Sequence, residues 1–98
     1  MLTPKIKQQL KGKAHKLKPV VSIGNNGLTA AVNKEIDRAL HDHQLIKIRI
    51  QTTDRELRRE VIKQICEQNH AELVQVIGSI GVIYRLSNDL ETKDSNSI

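Results

Sequence analysis

A chain of 98 residues holds one domain around one core, and its 38% hydrophobic and 28% charged residues suit a globular protein. No apolar run approaches the roughly 20 residues that cross a bilayer, and the Lys-rich N-terminus lacks the apolar stretch of a secretory signal. The single cysteine, Cys66, excludes an internal disulfide and suits a reducing compartment, so a cytoplasmic protein is expected.

A net charge of +5 with a pI of about 9.6 speaks to the partner and not to the fold. Residues 1–18 hold Lys5, Lys7, Lys11, Lys13, Lys16 and Lys18 without one Asp or Glu, whereas the last ten residues carry Asp89, Glu91 and Asp94 against Lys93. The positive charge is gathered at one end.

In chain order, Thr3 and Pro4 make a helix opening, the first as a cap and the second where its missing N–H costs nothing. Ile6, Leu10, Ala14 and Leu17 then recur at helical spacing, and Pro19 ends this element. Residues 20–23 are short, largely β-branched and apolar on both faces, as an inner strand is. A second helix is predicted over about 28–41, with Leu28, Val32, Ile36, Ala39 and Leu40 inward. From Ile46 the chain alternates, which predicts a strand with Ile46, Ile48 and Ile50 on the core side and Lys47 and Arg49 on the other. Thr53 and Glu56 have capping-box spacing before a third helix that runs to about residue 69 and buries Leu57, Val61, Ile62, Ile65 and Cys66. Two strands follow, over 72–77 and 80–86, around the hairpin signal Gly78-Ser79.

Strands joined by crossover helices lie parallel, and the closing hairpin adds an antiparallel strand. The expectation is a single compact α/β domain of αβαβαββ order with a four-stranded mixed sheet, spanning residues 1–87, and a flexible polar tail over 88–98.

The stretch Ile23-Gly24-Asn25-Asn26-Gly27-Leu28 carries the functional argument. Two glycines bracket two asparagines between a strand and a helix start, and both residue types tolerate a sharp turn. Without a Cβ at Gly24 or Gly27 a ligand backbone can come close, and a following helix N-terminus favours an anion such as a phosphate. The same pattern also serves as a plain strand-to-helix connection; the six lysines that lead into it favour the phosphate cradle.

Catalytic constellations are missing. Cys66 falls on an apolar helix stripe, no Cys or carboxylate cluster supplies third and fourth ligands beside His41 and His43 at metal spacing, and no Walker-type motif is present. No cofactor or metal is expected, and the chain is read as a non-enzyme. Nucleic-acid binding fits the basic stretch better: Tyr84 is the sole aromatic residue, so successive bases cannot stack on an aromatic sheet, and recognition must rest on phosphates and shape. The candidate nucleic-acid-binding residues are Gly24, Asn25, Asn26 and Gly27 in the loop, with Lys5, Lys11, Lys13, Lys16 and Lys18. Arg55, Arg58, Arg59 and Lys63 form a second cluster that interleaved Glu56 and Glu60 assign to ordinary helix-surface pairing.

Leu2-Thr3-Pro4-Lys5, Leu17-Lys18-Pro19-Val20-Val21, Ile23-Gly24-Asn25-Asn26-Gly27-Leu28-Thr29, Glu35-Ile36-Asp37, Leu45-Ile46-Lys47 and Tyr84-Arg85 together resemble the CRM (chloroplast RNA splicing and ribosome maturation) domain, in its bacterial stand-alone YhbY-type form. The resemblance covers residues 2 to about 86. It implies a fold similar to the C-terminal domain of bacterial translation initiation factor three, a loop analogous to the G-x-x-G of KH domains, RNA binding, and association with precursors of the large ribosomal subunit. Family members often carry a basic residue between the glycines. Here Asn25 and Asn26 keep hydrogen bonding and remove a charge, which shifts weight to Lys16 and Lys18. Two rival readings are a protein-interaction module whose basic face docks on an acidic ribosomal or assembly protein, and a small enzyme acting on a phosphorylated metabolite.

Overall fold

A computed structural model describes residues 2–24 and 26–86; Met1, Asn25 and residues 87–98, which include the expected tail, lie outside the described residues. The helices are α1 (Pro4–Ala14), α2 (Ala30–His43) and α3 (Arg55–Asn69). The strands are β1 (Pro19–Ile23), β2 (Leu45–Ile50), β3 (Glu72–Ile77) and β4 (Ile80–Tyr84), which gives the αβαβαββ order expected from periodicity.

Local side-chain chemistry starts each helix. The Thr3 hydroxyl accepts the Ile6 N–H at 3.2 Å and the Thr29 hydroxyl accepts the Val32 N–H at 3.2 Å. Because Thr29 caps it, α2 begins at Ala30, two residues later than its apolar pattern suggests. At α3 the cap is Asp54 and not Thr53: its Oδ1 accepts the N–H groups of Glu56 and Leu57 at 3.0 and 3.2 Å. A carboxylate in that place makes charge-assisted bonds and faces the positive end of the helix dipole, so it displaces the hydroxyl. Helix ends depart further from the sequence reading. Helix α1 stops at Ala14, and a turn over 15–18, closed by the Leu17 N–H to Ala14 carbonyl bond at 2.9 Å, carries the chain to Pro19. Leu17 is therefore 39% exposed instead of buried on a helix stripe. α2 and α3 both end in residues with positive φ, Gln44 at 65° and His70 at 52°.

The sheet has the order β1-β2-β4-β3, with β1 and β2 parallel and β4 antiparallel to both β2 and β3. The mixed sheet is as expected, but β1 is an edge strand and not an inner one, and half of Val20 faces solvent. Its first residue, Pro19, suits that edge because it has no N–H to offer a neighbour. β4 takes the inner place because Gly81, Val82 and Ile83 are all buried, whereas β3 leaves Leu73, Val76 and Ile77 exposed. The two-residue turn between β3 and β4 has Gly78 at φ 56° in its first position, where glycine avoids a Cβ penalty.

Helices cover both faces of the sheet. Ile36 and Leu40 of α2 and Val61, Ile62 and Ile65 of α3 pack on Val21, Ile23, Ile46, Ile48, Ile50 and Ile83. On the opposite face Leu10 and Ala14 of α1 pack on Leu45, Val74 and Val82. Polar bonds lock the first layer. Buried Asn69 donates from Nδ2 to Asn33 Oδ1 and to the Ile65 carbonyl, both at 2.9 Å. Arg85 ties the end of β4 to both helices, donating to Asp37 Oδ1 at 2.7 Å, the Asp37 carbonyl at 2.9 Å and the Asn69 carbonyl at 3.1 Å. Among the described residues, no helix is long and apolar enough to cross a membrane.

Candidate nucleic-acid interface

Parallel pairing of β1 with β2 brings their C-terminal ends to one edge of the sheet, where the loop of residues 24–27 meets the segment 51–54. The Gln51 N–H donates to the Ile23 carbonyl at 2.9 Å, and the Ile50 N–H donates to the Ser79 carbonyl of the hairpin at 2.8 Å. Three connections from distant parts of the chain thus gather at this edge. Arg58 staples two of them, donating from one guanidinium nitrogen to the Thr52 carbonyl at 2.9 Å and from the other to the Gly78 carbonyl at 2.8 Å. Its donors serve the fold. That departs from the helix-surface pairing expected of Arg58 with neighbouring glutamates.

The loop itself closes as a turn, with the Gly27 N–H on the Gly24 carbonyl at 3.1 Å. Gly27 has φ 71°, a backbone region that L side chains rarely adopt, so the fold needs glycine there. Gly24 is different. Its φ is outside the left-handed region, and a Cβ built on it meets no heavy atom within 4 Å. Neither backbone strain nor packing inside the protein requires glycine at 24, and the space beside it is open to an outside group. Asn26 is exposed beside it, and Asn25 lies outside the described residues. A cleft of about 300 Å³ runs from Gly24, Asn26 and Gly27 to Gln51, Thr52, Leu57 and Val61. Leu57, expected in the core, is 48% exposed and forms a wall of this cleft, because α3 turns its first apolar residue toward the loop edge and not under the sheet.

The lysines stand apart from the loop. Lys16 and Lys18 precede β1 and the loop follows it, so strand length separates them by roughly 20 Å at about 3.3 Å per residue. Lys5, Lys11 and Lys13 lie on α1, and Lys16 and Lys18 in the turn beyond its end, so the basic stretch is a helix and a turn instead of one helix. Lys13 and Lys18 join Leu17, Val20 and His43 around a second groove at the far edge of β1 and β2. The sheet joins the two regions. Alternation along β2 sets Lys47 and Arg49 on the face that α1 leaves partly open, and Arg49 is in register with exposed Ser22 of β1. Lys47 and Arg49 were legible as the polar side of a strand; only the strand pairing shows that they bridge the lysines to the loop.

Among the described residues, groups suited to catalysis do not converge. Cys66 is partly buried, and burial first, then the carboxylates of Glu67 and Glu72, push its thiol up to about 11, which leaves it protonated and a poor nucleophile near neutral pH. Among the described residues, no group of three or more His, Cys, Asp or Glu side chains is placed to hold a metal ion.

Comparison with known proteins agrees with this fold. The CRS1 / YhbY (CRM) domain family matches residues 2–85. A Haemophilus influenzae protein named as an RNA-binding protein is 48% identical over 88 residues, which are 90% of this chain and 89% of that one. A Pseudomonas aeruginosa protein, also named for RNA binding, is 43% identical over 84 residues, or 86% of this chain and 81% of that one. The solution structure of a hypothetical protein from Staphylococcus aureus superposes with a TM-score of 0.79 at 39% identity, covering 89% of this chain and 91% of that chain. With the domain match running from the start of α1 to the end of β4, this chain belongs to the CRS1/YhbY (CRM) domain family.

Proposed function

We propose that this chain is a non-enzymatic RNA-binding protein that acts in ribosome assembly in the cytoplasm, on ribosomal RNA in precursors of the large subunit. The observation that carries the reading is the open space at Gly24, a glycine that the protein's own packing does not require. A sugar-phosphate backbone can approach there to hydrogen-bond distance of the main chain, with Asn25 and Asn26 supplying polar side chains. Family membership supports RNA as the partner, since relatives of nearly full overlap carry RNA binding in their names. The ribosomal target follows the resemblance to the CRM family.

In this reading affinity is electrostatic and spread along the molecule. Lys13, Lys16 and Lys18 hold phosphates at one end of β1, Lys47 and Arg49 continue the path across the sheet, and residues 24–27 fix the strand at the other end. Lys5 and Lys11 add charge along α1. Lacking an aromatic stacking platform, such a surface reads backbone and shape more than bases.

The test is binding of a large-subunit ribosomal RNA fragment across a salt series. Affinity should fall linearly on a log–log plot, and Lys16→Glu with Lys18→Glu should make the slope shallower by about 1.5, at roughly 0.7–0.9 per lost phosphate contact. Binding that ignores salt, or a double variant with the slope of the wild type, removes the lysines from the interface. Association with ribosomal particles should also be lost after ribonuclease treatment; survival would point to a protein contact instead.

A further inference from the structure

On the sheet face that α2 and α3 cover, the helical layer over β1, β2 and β4 leaves β3 largely uncovered. Ile62 sits 3.3 Å from the point where a Cβ on Gly81 would stand, which fixes α3 above β4. Beyond α3, on the same face, Leu73 and Val76 of β3 remain 39% and 42% exposed. With Ile62 and Cys66 they floor a groove of about 680 Å³ between α3 and β3.

The rim of this groove is mainly basic, with Glu67 the one acid among its lining residues. Arg55, Arg59 and Lys63 follow one another at intervals of four, so they lie in one row along α3 and all line the groove. Among the described residues, none of the three forms an ion pair with Glu56 or Glu60, although Arg59 lies three residues from Glu56 and Lys63 three from Glu60. Like charges in such a row disfavour the helix, and Arg55 adds a cation at the wrong end of its dipole. Glu67, four residues beyond Lys63, offsets this only at the far end of the row, so Arg55 and Arg59 carry the cost.

We propose that the groove is the docking site for an acidic amphipathic helix of a partner protein, which would complete the helical layer above β3. Apolar side chains of that helix cover Leu73 and Val76, and carboxylates on its flank meet Arg55, Arg59 and Lys63. Two observations favour a helix in the groove over a strand added at the sheet edge. The register shift between Leu73 and Gln75 interrupts β3 where an added strand would have to pair. The exposed apolar groups also lie on the face of the strand. An aliphatic floor without any aromatic ring is equally ill suited to nucleobases.

The probe is a fluorescein-labelled synthetic peptide of about 15 residues, enough for some four helical turns, with Leu at i, i+3, i+4 and i+7 and Glu on both flanks. Fluorescence anisotropy should show saturable binding that weakens at least tenfold for Arg59→Glu with Lys63→Glu, and likewise for Val76→Asp, each verified as folded by circular dichroism. Amide shifts in NMR spectra should centre on Ile62, Cys66, Leu73 and Val76 and spare Gly24 and Gly27. Equal binding of a scrambled peptide of the same composition, absence of shifts at the groove, or displacement of the peptide by an RNA oligonucleotide that moves the same amides would each overturn the proposal. The loop-directed RNA assays stand independently of these outcomes.

Discussion

Replacement of Gly24 by Asp isolates the loop's role in binding from its role in folding. The site has no positive φ and no heavy atom within 4 Å of a Cβ, so the fold should accept the side chain. A surface substitution of this kind changes stability by no more than about 0.5 kcal/mol, and loss of glycine freedom in the unfolded chain acts in the stabilising direction. At 4–8 °C per kcal/mol for a domain of this size, the melting temperature should stay within about 4 °C of the wild type. Binding should respond differently. A carboxylate roughly 5 Å from a phosphate is repelled by about 0.8 kcal/mol in bulk water and about 3 kcal/mol at an effective dielectric of 20. RNA affinity should therefore fall by a factor between roughly 4 and 150, with the larger losses at low salt. The assay is anisotropy of a labelled ribosomal RNA fragment alongside thermal melts. A folded Gly24→Asp variant with wild-type affinity at low salt would refute the cradle and leave the lysine surface as the site. Gly27→Asp is the poorer probe, because φ 71° makes any side chain there costly to the fold itself.

Three other outcomes are expected. Arg85→Ala removes three hydrogen bonds that join β4 to Asp37 and Asn69, so thermal melts should show a loss of about 2 kcal/mol, or roughly 10 °C, without a change in RNA affinity at matched folded fraction. His70→Gly relieves a left-handed residue at the end of α3 and should raise the melting temperature by a few degrees, for a gain of about 1 kcal/mol; a drop would mean that the histidine ring contributes more than its backbone costs. Cys66 alkylation should be slow at pH 8 and should rise about tenfold per pH unit until the pH nears its raised value of about 11, whereas a plateau below pH 9.5 would contradict the effect of burial. Because that thiol keeps its proton longer in the folded state than in the unfolded one, its contribution to stability declines as pH rises from 9 toward 11.

Element type and order were legible along the chain because each depends on neighbours within a few residues. Apolar spacing of three and four marks Ile36, Leu40, Val61 and Ile65 as inward helix positions, and strict alternation marks Ile46, Ile48 and Ile50 as the buried side of a strand. The glycine pattern at 24 and 27 and the basic N-terminal stretch were equally plain. Local competition was harder to read: Thr53 and Asp54 both suit a helix cap, and charge decided for Asp54.

Long-range pairing decided the rest. Nothing within residues 20–23 says that β1 lies at an edge, since an apolar strand can lie at an edge when a helix covers one of its faces; the register of β4 between β2 and β3 settles it. The separation of Lys16 and Lys18 from the loop by the length of β1, the bridge formed by Lys47 and Arg49, and the meeting of residues 24–27 with Thr52 and Leu57 all follow from that sheet. Arg58 and Arg85 show the same limit. Arg58 reads as a helix-surface cation in the sequence and Arg85 has no local partner there, yet each spends its guanidinium on backbone carbonyls brought within reach by elements far away in the chain. Periodicity fixes which side of an element is apolar; which elements meet, and therefore which charges remain for a partner, is set by packing between segments that share no local sequence.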